Sequence, residues 1–312
     1  MTNNFPRYVV FGEALTDMLR QDDGRWLAVP GGASWNAARV GAKLGVPTAL
    51  AGAVSTDLFG DQLESEGAAA GLDGRFLQRI DAAPLLAIVP SQHPPQYFFI
   101  GNDSADLHFN PGLLPAGWRE AVDVVQFGGI SMMRKPLSLK LLAEAGAAKL
   151  AGKKIAFDPN YRSMAVTPDY PETFRAIASL ASYIKVSDDD LIGIFPGLNP
   201  ADGLATLRAL APTAQILLTR GAMGMTLFNG SEVVEQAAFT IFVADTVGCG
   251  DAAMGGWMVS LLLRPTANNI AHLQLSAATA ALAATQAGPY PPSADEVDAL
   301  LTQRGYESWL AQ

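Results

Sequence analysis

The chain has 312 residues, 49% of them hydrophobic and 16% charged, and carries a net charge of −9. That much apolar side chain supports a sizeable core and excludes global disorder. The acidic balance, with no lysine/arginine run, argues against a nucleic-acid or anionic-membrane partner. A single cysteine cannot form an intrachain disulfide, which fits a reducing compartment. "MTNNFPRYVVFGE" lacks a signal-peptide pattern, and the alanine-rich run Ala277–Ala287 is too short and interrupted to span a membrane. A soluble cytoplasmic protein is the expectation.

Apolar runs bounded by turn residues alternate with helical periodicity along the chain. A strand at Tyr8–Phe11 comes first, and then Ala14–Leu19 and Arg25–Val29 flank "QDDG", a hairpin turn signature. A helix over Ser34–Leu44, a strand at Thr48–Val54 and a helix over Leu58–Ala70 follow. Leu85–Val89 and Tyr97–Ile100 flank "PSQHPPQ" as a second antiparallel pair. Beyond it the pattern predicts strand Val122–Phe127, helix Leu137–Leu150, strand Lys154–Phe157, helix Pro171–Ser182, strand Tyr183–Val186 and helix Ala201–Leu210. Strands Gln215–Thr219, Met225–Phe228 and Ala238–Val243 and helices Ala252–Leu263 and Asn268–Thr285 complete the chain. This order predicts a doubly wound α/β fold, a mostly parallel sheet with helices on both faces. Its ligands would bind beyond the carboxyl ends of the strands. The two hairpins have no helix to cover them and predict a small β lid over that edge. Residues 1–12, 33–83 and 112–312 then form the core, and 13–32 and 84–111 the lid.

The stretch "DTVGCGDAAMGG" (Asp245–Gly256) sits between an apolar run and a helical pattern. A Gly248-Cys249-Gly250 loop opening a helix would aim backbone N–H groups one way, backed by the positive helix end, which makes an anion site. Asp251 in the first turn could accept a proton from an attacking hydroxyl beside a moving phosphoryl group. The local pattern fits equally a capped helix start with a tight glycine turn. Cys249 could be a thiol nucleophile, but His93, His108 and His272 stand in no recognisable thiol-enzyme context and have no metal-ligand spacing. "GAAKLAGKK" fails the spacing of a Walker A loop, and no G-x-G-x-x-G follows the first strand.

A second constellation lies far upstream. "PGGASWNAARVGAKLG" (Pro30–Gly45) offers Gly32 for close backbone approach and Asn36 as donor and acceptor to a hydroxyl. Asp17 could accept hydroxyl hydrogens from the same ligand. Taken alone, the segment fits a glycine-assisted connection into a helix, with Asn36 satisfying backbone groups, better than it fits a ligand site.

Together, "GGASWNAARVGAKLG" and "DTVGCGDAAMGG" resemble, in order and separation, the two signatures of the ribokinase-like (PfkB) sugar kinases. "DLFGDQL", "DSADLHF", "FDPNYR", "KVSDDDL", "LTRGAMGM" and "AGPYPPS" extend the resemblance over nearly the whole chain. The resemblance implies an ATP-dependent sugar kinase with Asp251 as base and Gly248, Cys249 and Gly250 as anion hole. Asp17, Gly32, Asn36 and Arg162 would hold the sugar. Lys185, Ser187, Thr219, Gly221 and Gly224 would line the nucleotide side, with Mg²⁺ riding on ATP and a monovalent cation such as K⁺ as a further candidate. No protein residue is implied as a metal ligand. The lid in such proteins often doubles as a homodimer clasp.

The chain departs from the family pattern in several places. Cys249 stands where alanine is commoner, and Ser187 and Asp190 replace the Asn and Glu of an N-x-x-E segment. Trp35 is bulky beside the sugar loop, and Gly101 stands where arginine is frequent. "FGEALTDML", "NDSADLHF" and "FDPNYR" are most similar to fructokinases, so fructose is the expected sugar. Ribose, a sugar acid such as 2-keto-3-deoxygluconate, and a non-catalytic regulator on the same fold are the alternatives.

Overall fold

Four consecutive buried residues, Tyr8–Phe11 (β1), form an interior strand of the main sheet. A run apolar on both sides suits a strand covered on both faces. The computed structural model describes residues 5–92, 95–163 and 166–311. In it β1 pairs in parallel with β4 (Thr48–Ser55) on one side and β8 (Val124–Gly128) on the other. Beyond β4 lies β5 (Leu77–Ile80), also parallel. Beyond β8 come β9 (Lys154–Asp158), β10 (Tyr183–Ser187) and β11 (Gln215–Thr219), all parallel. Two antiparallel strands, β12 (Met225–Asn229) and β13 (Glu232–Gln236), close that edge. The order is β13-β12-β11-β10-β9-β8-β1-β4-β5.

Alternate residues of each strand enter opposite cores. Tyr8 and Val10 pack with α1 (Ala33–Lys43), α2 (Leu58–Ala70), α8 (Cys249–Leu263), α9 (Asn269–Ala283) and α10 (Ala294–Gln303). Val9 and Phe11 pack with α3 (Trp118–Ala121), α4 (Leu137–Leu150), α5 (Tyr170–Leu180), α6 (Asp188–Ile194) and α7 (Pro200–Leu210). The doubly wound α/β architecture is therefore as the sequence predicts.

The lid is one sheet rather than two separate hairpins. β2 (Leu15–Arg20) pairs antiparallel with β3 (Trp26–Gly31), and β6 (Leu86–Gln92) with β7 (Pro95–Ile100). Parallel pairing of β2 with β6 joins them in the order β3-β2-β6-β7. The register puts Asp17, Val29, Ala87 and Phe99 on one face, and Trp26, Met18, Ile88, Phe98 and Ile100 on the other.

One predicted strand is corrected. Residues Ala238–Val243 form no strand, and the edge position belongs to β13. The segment is anchored off the sheet: Phe239 packs edge-on against Tyr306, and the Thr240 carbonyl accepts from Arg304. That packing buries Phe239, while Phe242 and Val243 are exposed. β5, β13, α3, α6 and α10 are not among the predicted elements. Among the described residues no helix is long and apolar enough to cross a membrane.

Candidate active site

The predicted site residues lie at or beyond the carboxyl ends of the strands, on the lid, or at the start of α1 or α8, except Lys185, which is the middle residue of β10. α8 begins earlier than predicted, at Cys249, with Gly248 as its N-cap at φ 78°. That left-handed conformation favours glycine, and a Cβ there would lie 2.9 Å from Pro289 Cβ. Gly248 has no side chain to cap the helix, and a helix's first N–H groups have no intrahelical acceptor. Cys249 N–H turns back to Thr246 O at 3.3 Å, and the first intrahelical bond runs from Ala252 N–H to Gly248 O. The Gly250 and Asp251 amides are thus the ones that helix geometry leaves to an anion.

Asp251 is buried in this first turn and accepts from Asn36 Nδ2 at 2.8 Å. Burial pushes its carboxyl up to about 6, against the opposing pull of the Asn36 hydrogen bond, Lys185 and Arg162. Asn36 Oδ1 is buried without a protein partner. A buried carbonyl oxygen left unpaired is costly, so this atom marks a place for a ligand's hydroxyl. Gly32, the N-cap of α1, holds φ 108°, and a Cβ on it would come 2.8 Å from Glu13 O.

Asp17 reaches the same cleft from β2. A Cβ on Gly31 would overlap its carboxylate, so that glycine makes room for it. Burial, with Asp251 nearby and Arg162 opposing, raises Asp17 to about 7. Arg162 follows β9 on the loop of "DPNYR", and its guanidinium carbon lies 5.8 Å from the Tyr97 ring centroid. Tyr97, on β7, is a lid residue of the site that sequence reasoning missed. Its phenol is raised by burial, with the charges of Arg162 and Asp17 also felt. Only its place on a strand predicted to belong to the lid could have pointed to it.

Lys185 is buried beneath the anion loop, not on an open nucleotide face. A Cβ on Gly250 would sit 3.0 Å from its Nζ. Nζ also lies 3.1 Å from Asp158 Oδ1, at the end of β9. Burial works against its charge, but Asp158, Asp190 and Asp251 outweigh that and hold the ammonium above its ordinary value. Asp158, which the sequence reading did not single out, is raised to about 7, by burial first and despite Lys185. Ser187 and Thr219 are register partners at the ends of β10 and β11. The Ser187 N–H and hydroxyl are engaged by Asp190 as a capping box for α6. Gly221 (φ 51°) and Gly224 (φ 91°) shape the next turn, where a Cβ on Gly224 would overlap the Gln236 carbonyl.

The remaining sequence features sort out plainly. Burial, with Asp251 and Asp245 adding to it, pushes the Cys249 thiol up to about 11, opposite to an activated nucleophile. His108 pairs with Asp103 at 2.7 Å and His272 with Ser260 at 2.8 Å, so neither serves Cys249. His93 lies outside the described residues. Trp35 turns away from the sugar loop into the core, where Arg39 stacks on it at 4.1 Å. The space beside Gly101 is taken by Arg134, which donates to the Gly101 carbonyl, to Ser104 Oγ at 3.1 Å and to Asp106 at 2.6 Å. Among the described residues no group of three or more His, Cys, Asp or Glu side chains could hold a metal ion.

An α/β sheet with an anion loop, a buried acid and hydroxyl-binding groups under a β lid defines a class of protein, the ATP-dependent sugar kinases of the ribokinase-like fold. Residues 6–296 match the family model described as pfkB family carbohydrate kinase, and the chain belongs to that family. It is 30% identical over 289 residues to a fructokinase of Klebsiella pneumoniae, covering 89% of this chain and 93% of the relative. It is also 30% identical over 258 residues to an aminoimidazole riboside kinase of Salmonella typhimurium, covering 81% and 80%. The crystal structure of a fructokinase from Xylella fastidiosa with bound ATP superposes with a TM-score of 0.88 at 25% identity, over 96% of this chain and 100% of that one. The protein is therefore an ATP-dependent carbohydrate kinase.

Proposed function

We propose that the protein transfers the γ-phosphoryl group of MgATP to a hydroxyl of fructose. The sugar lies between the lid and the start of α1, with Asp17, the Gly32 backbone, Asn36 and Arg162 on its hydroxyls. Asp251 accepts the proton of the attacking hydroxyl, for which an acid near 6 is suited at neutral pH. The orphan amides at the start of α8 and the Lys185 ammonium stabilise the charge on the phosphoryl group as it moves. Ser187, Thr219, Gly221 and Gly224 line the nucleotide side. The observation that carries this reading is the Asn36–Asp251 pair: one buried side chain touches the base and presents an unpartnered oxygen to the substrate.

Two features favour a neutral ketose over a sugar acid. Position 101 carries no arginine, and the neighbouring guanidinium of Arg134 is neutralised by Asp106. A substrate carboxylate would meet Asp17 and Asp251 as well as the Arg162 guanidinium. The riboside kinase relative keeps a ribose-containing substrate as the second reading. An ADP-release assay should rank fructose above ribose, aminoimidazole riboside and 2-keto-3-deoxygluconate. A higher kcat/KM for any of these by tenfold or more displaces fructose, and no turnover with any of the four rejects this set of substrates.

A monovalent cation such as K⁺ belongs to the same reading. Asp245 is the carboxylate available beside the anion loop, its oxygens accepting from Val247 N–H and Gly288 N–H. Replacing K⁺ with tetramethylammonium should lower activity if the cation shares that carboxylate.

A further inference from the structure

The turn that carries Arg162 is held by a carboxylate from the nucleotide side of the site. Asp190, at the third position of α6, is 4% exposed and has both oxygens engaged. Oδ2 accepts from Ser187 N–H and from Ser187 Oγ, each at 2.8 Å. Oδ1 reaches across to Tyr161 N–H at 2.7 Å. Gly193 lies nearly one turn further along α6, and a Cβ there would overlap the Tyr161 ring. The helix thus receives Tyr161 by both its backbone and its side chain.

Arg162 depends on that placement. Its Nη1 donates to Tyr161 O at 2.9 Å, and its guanidinium faces Tyr97 in the lid. Asn160, just before, holds φ 39°, with its N–H on Asp158 Oδ1 at 3.1 Å. A non-glycine residue in left-handed backbone persists where its surroundings over-determine it. Asp158 and Asp190 supply the side-chain anchors on the two sides of this bend. A capping box accounts for the Ser187 bonds and leaves the Tyr161 bond unexplained.

We propose that Asp190 is a positioning residue, whose carboxylate ties the Tyr161–Arg162 turn to the start of α6 and so holds the Arg162 guanidinium at the sugar. This rests on the reading of Arg162 as a sugar ligand. Ser187 ends the strand that carries Lys185, so the tie also links sugar placement to the strand beneath the anion loop. Both oxygens of the shorter acid at position 190 accept from protein donors.

Asp190→Asn keeps the size of the side chain and offers one acceptor oxygen instead of two. With fructose and MgATP as probes, the fructose KM should rise by about tenfold, the effect of a lost charge-assisted hydrogen bond. The KM for MgATP should stay within about twofold. Ser187→Ala removes the cap hydroxyl but leaves the Tyr161 bond, so it should lower the thermal midpoint and, because Ser187 lies on the nucleotide side, shift the MgATP KM rather than the fructose KM. An equal rise in fructose KM in both variants, or a tenfold rise confined to MgATP in Asp190→Asn, overturns the proposal.

Amide exchange gives a readout independent of turnover. In the substrate-free protein the Tyr161 amide should exchange faster in Asp190→Asn and stay protected in Ser187→Ala; unchanged protection in Asp190→Asn also overturns the proposal. Arg162→Ala should raise the fructose KM, and adding Asp190→Asn to it should have little further effect. Full additivity of the two means that Asp190 does not act through Arg162. Wild-type protein that leaves fructose unphosphorylated fails the substrate reading, while amide exchange still decides the tie.

Discussion

Asn36 Nδ2 meets Asp251 Oδ2 at 2.8 Å, joining residues 215 positions apart in the chain. The close crossing of α1 and α8 makes this contact possible. One turn beyond Asp251, a Cβ on Gly255 would come 2.7 Å from Val40 Cγ1 and 3.0 Å from the Ala37 carbonyl. The smallest residue at that crossing therefore sets how near the base stands to the hydroxyl-binding side chain. Under the proposed function, sugar binding and proton acceptance share this one hydrogen bond.

Removing that bond should change both functions together. Asn36→Ala takes a donor from the ionised carboxylate, so the Asp251 pKa should rise above its present value near 6. The acidic limb of the kcat/KM profile should then move to higher pH, and the sugar KM should increase. A raised KM with an unmoved acidic limb would separate the two roles.

The raised acids also predict a stability trend in the substrate-free protein. Asp251 near 6 and Asp17 near 7 lie above the unfolded carboxylate value of 3.8. The folded chain therefore binds more protons than the unfolded chain between about pH 4 and 7, and stability falls as pH rises through that window. Asp251→Asn removes its share, so the variant should be more stable than wild type at pH 8, on the order of 3 kcal/mol before the altered Asn36 contact is counted. Urea unfolding at pH 5 and pH 8 measures it. A variant less stable than wild type by the same amount at both pH values refutes the desolvation argument.

Much of this site was legible because the glycines and polar residues fall in short ordered runs. "GGASWN" and "GCGD" each place their own chemistry at a helix start, and strand alternation supplied the sheet. Asp158, Tyr97 and the depth of Lys185 were not legible, since each depends on which strand ends become neighbours. The direction of Trp35 was not legible, because helical position does not reveal which way a side chain turns, and here the core and Arg39 receive it. Ala238–Val243 looked like a strand because apolar content does not say whether the partner is a sheet edge or Tyr306.

The lid presents an apolar outer face. Trp26, Phe98 and Ile100 are 46%, 45% and 52% exposed on the side opposite Asp17. The family resemblance leads to the expectation that a second copy covers this face. Sedimentation at micromolar concentration should give a dimer, and Ile100→Glu with Phe98→Glu should give a monomer. A wild-type monomer at all concentrations leaves the lid a cover for the sugar alone.

The lid should close on the sugar, since water reaching the phosphoryl group would waste ATP. Hydrogen exchange with and without fructose should show new protection in Leu15–Arg20, Trp26–Gly31 and Leu86–Val89. Protection confined to Gly248–Asp251 would remove the lid from the mechanism.

The last expectation concerns which residue of "GCGD" does the chemistry. General-base assistance is worth roughly 10²–10⁴-fold in rate, so Asp251→Asn should lower kcat by about that range while ATP still binds. Cys249→Ala keeps the backbone of the turn, with its N–H on Thr246 O, and the thiol it removes is held protonated near neutral pH. Most activity should survive that change. Alkylating Cys249 is a poorer probe, because added bulk in the turn would crowd a phosphate under either reading. Fold is checked for both variants by circular dichroism and ATP binding by calorimetry. An inactive Cys249→Ala beside an active Asp251→Asn would reverse the assignment and make the thiol the nucleophile.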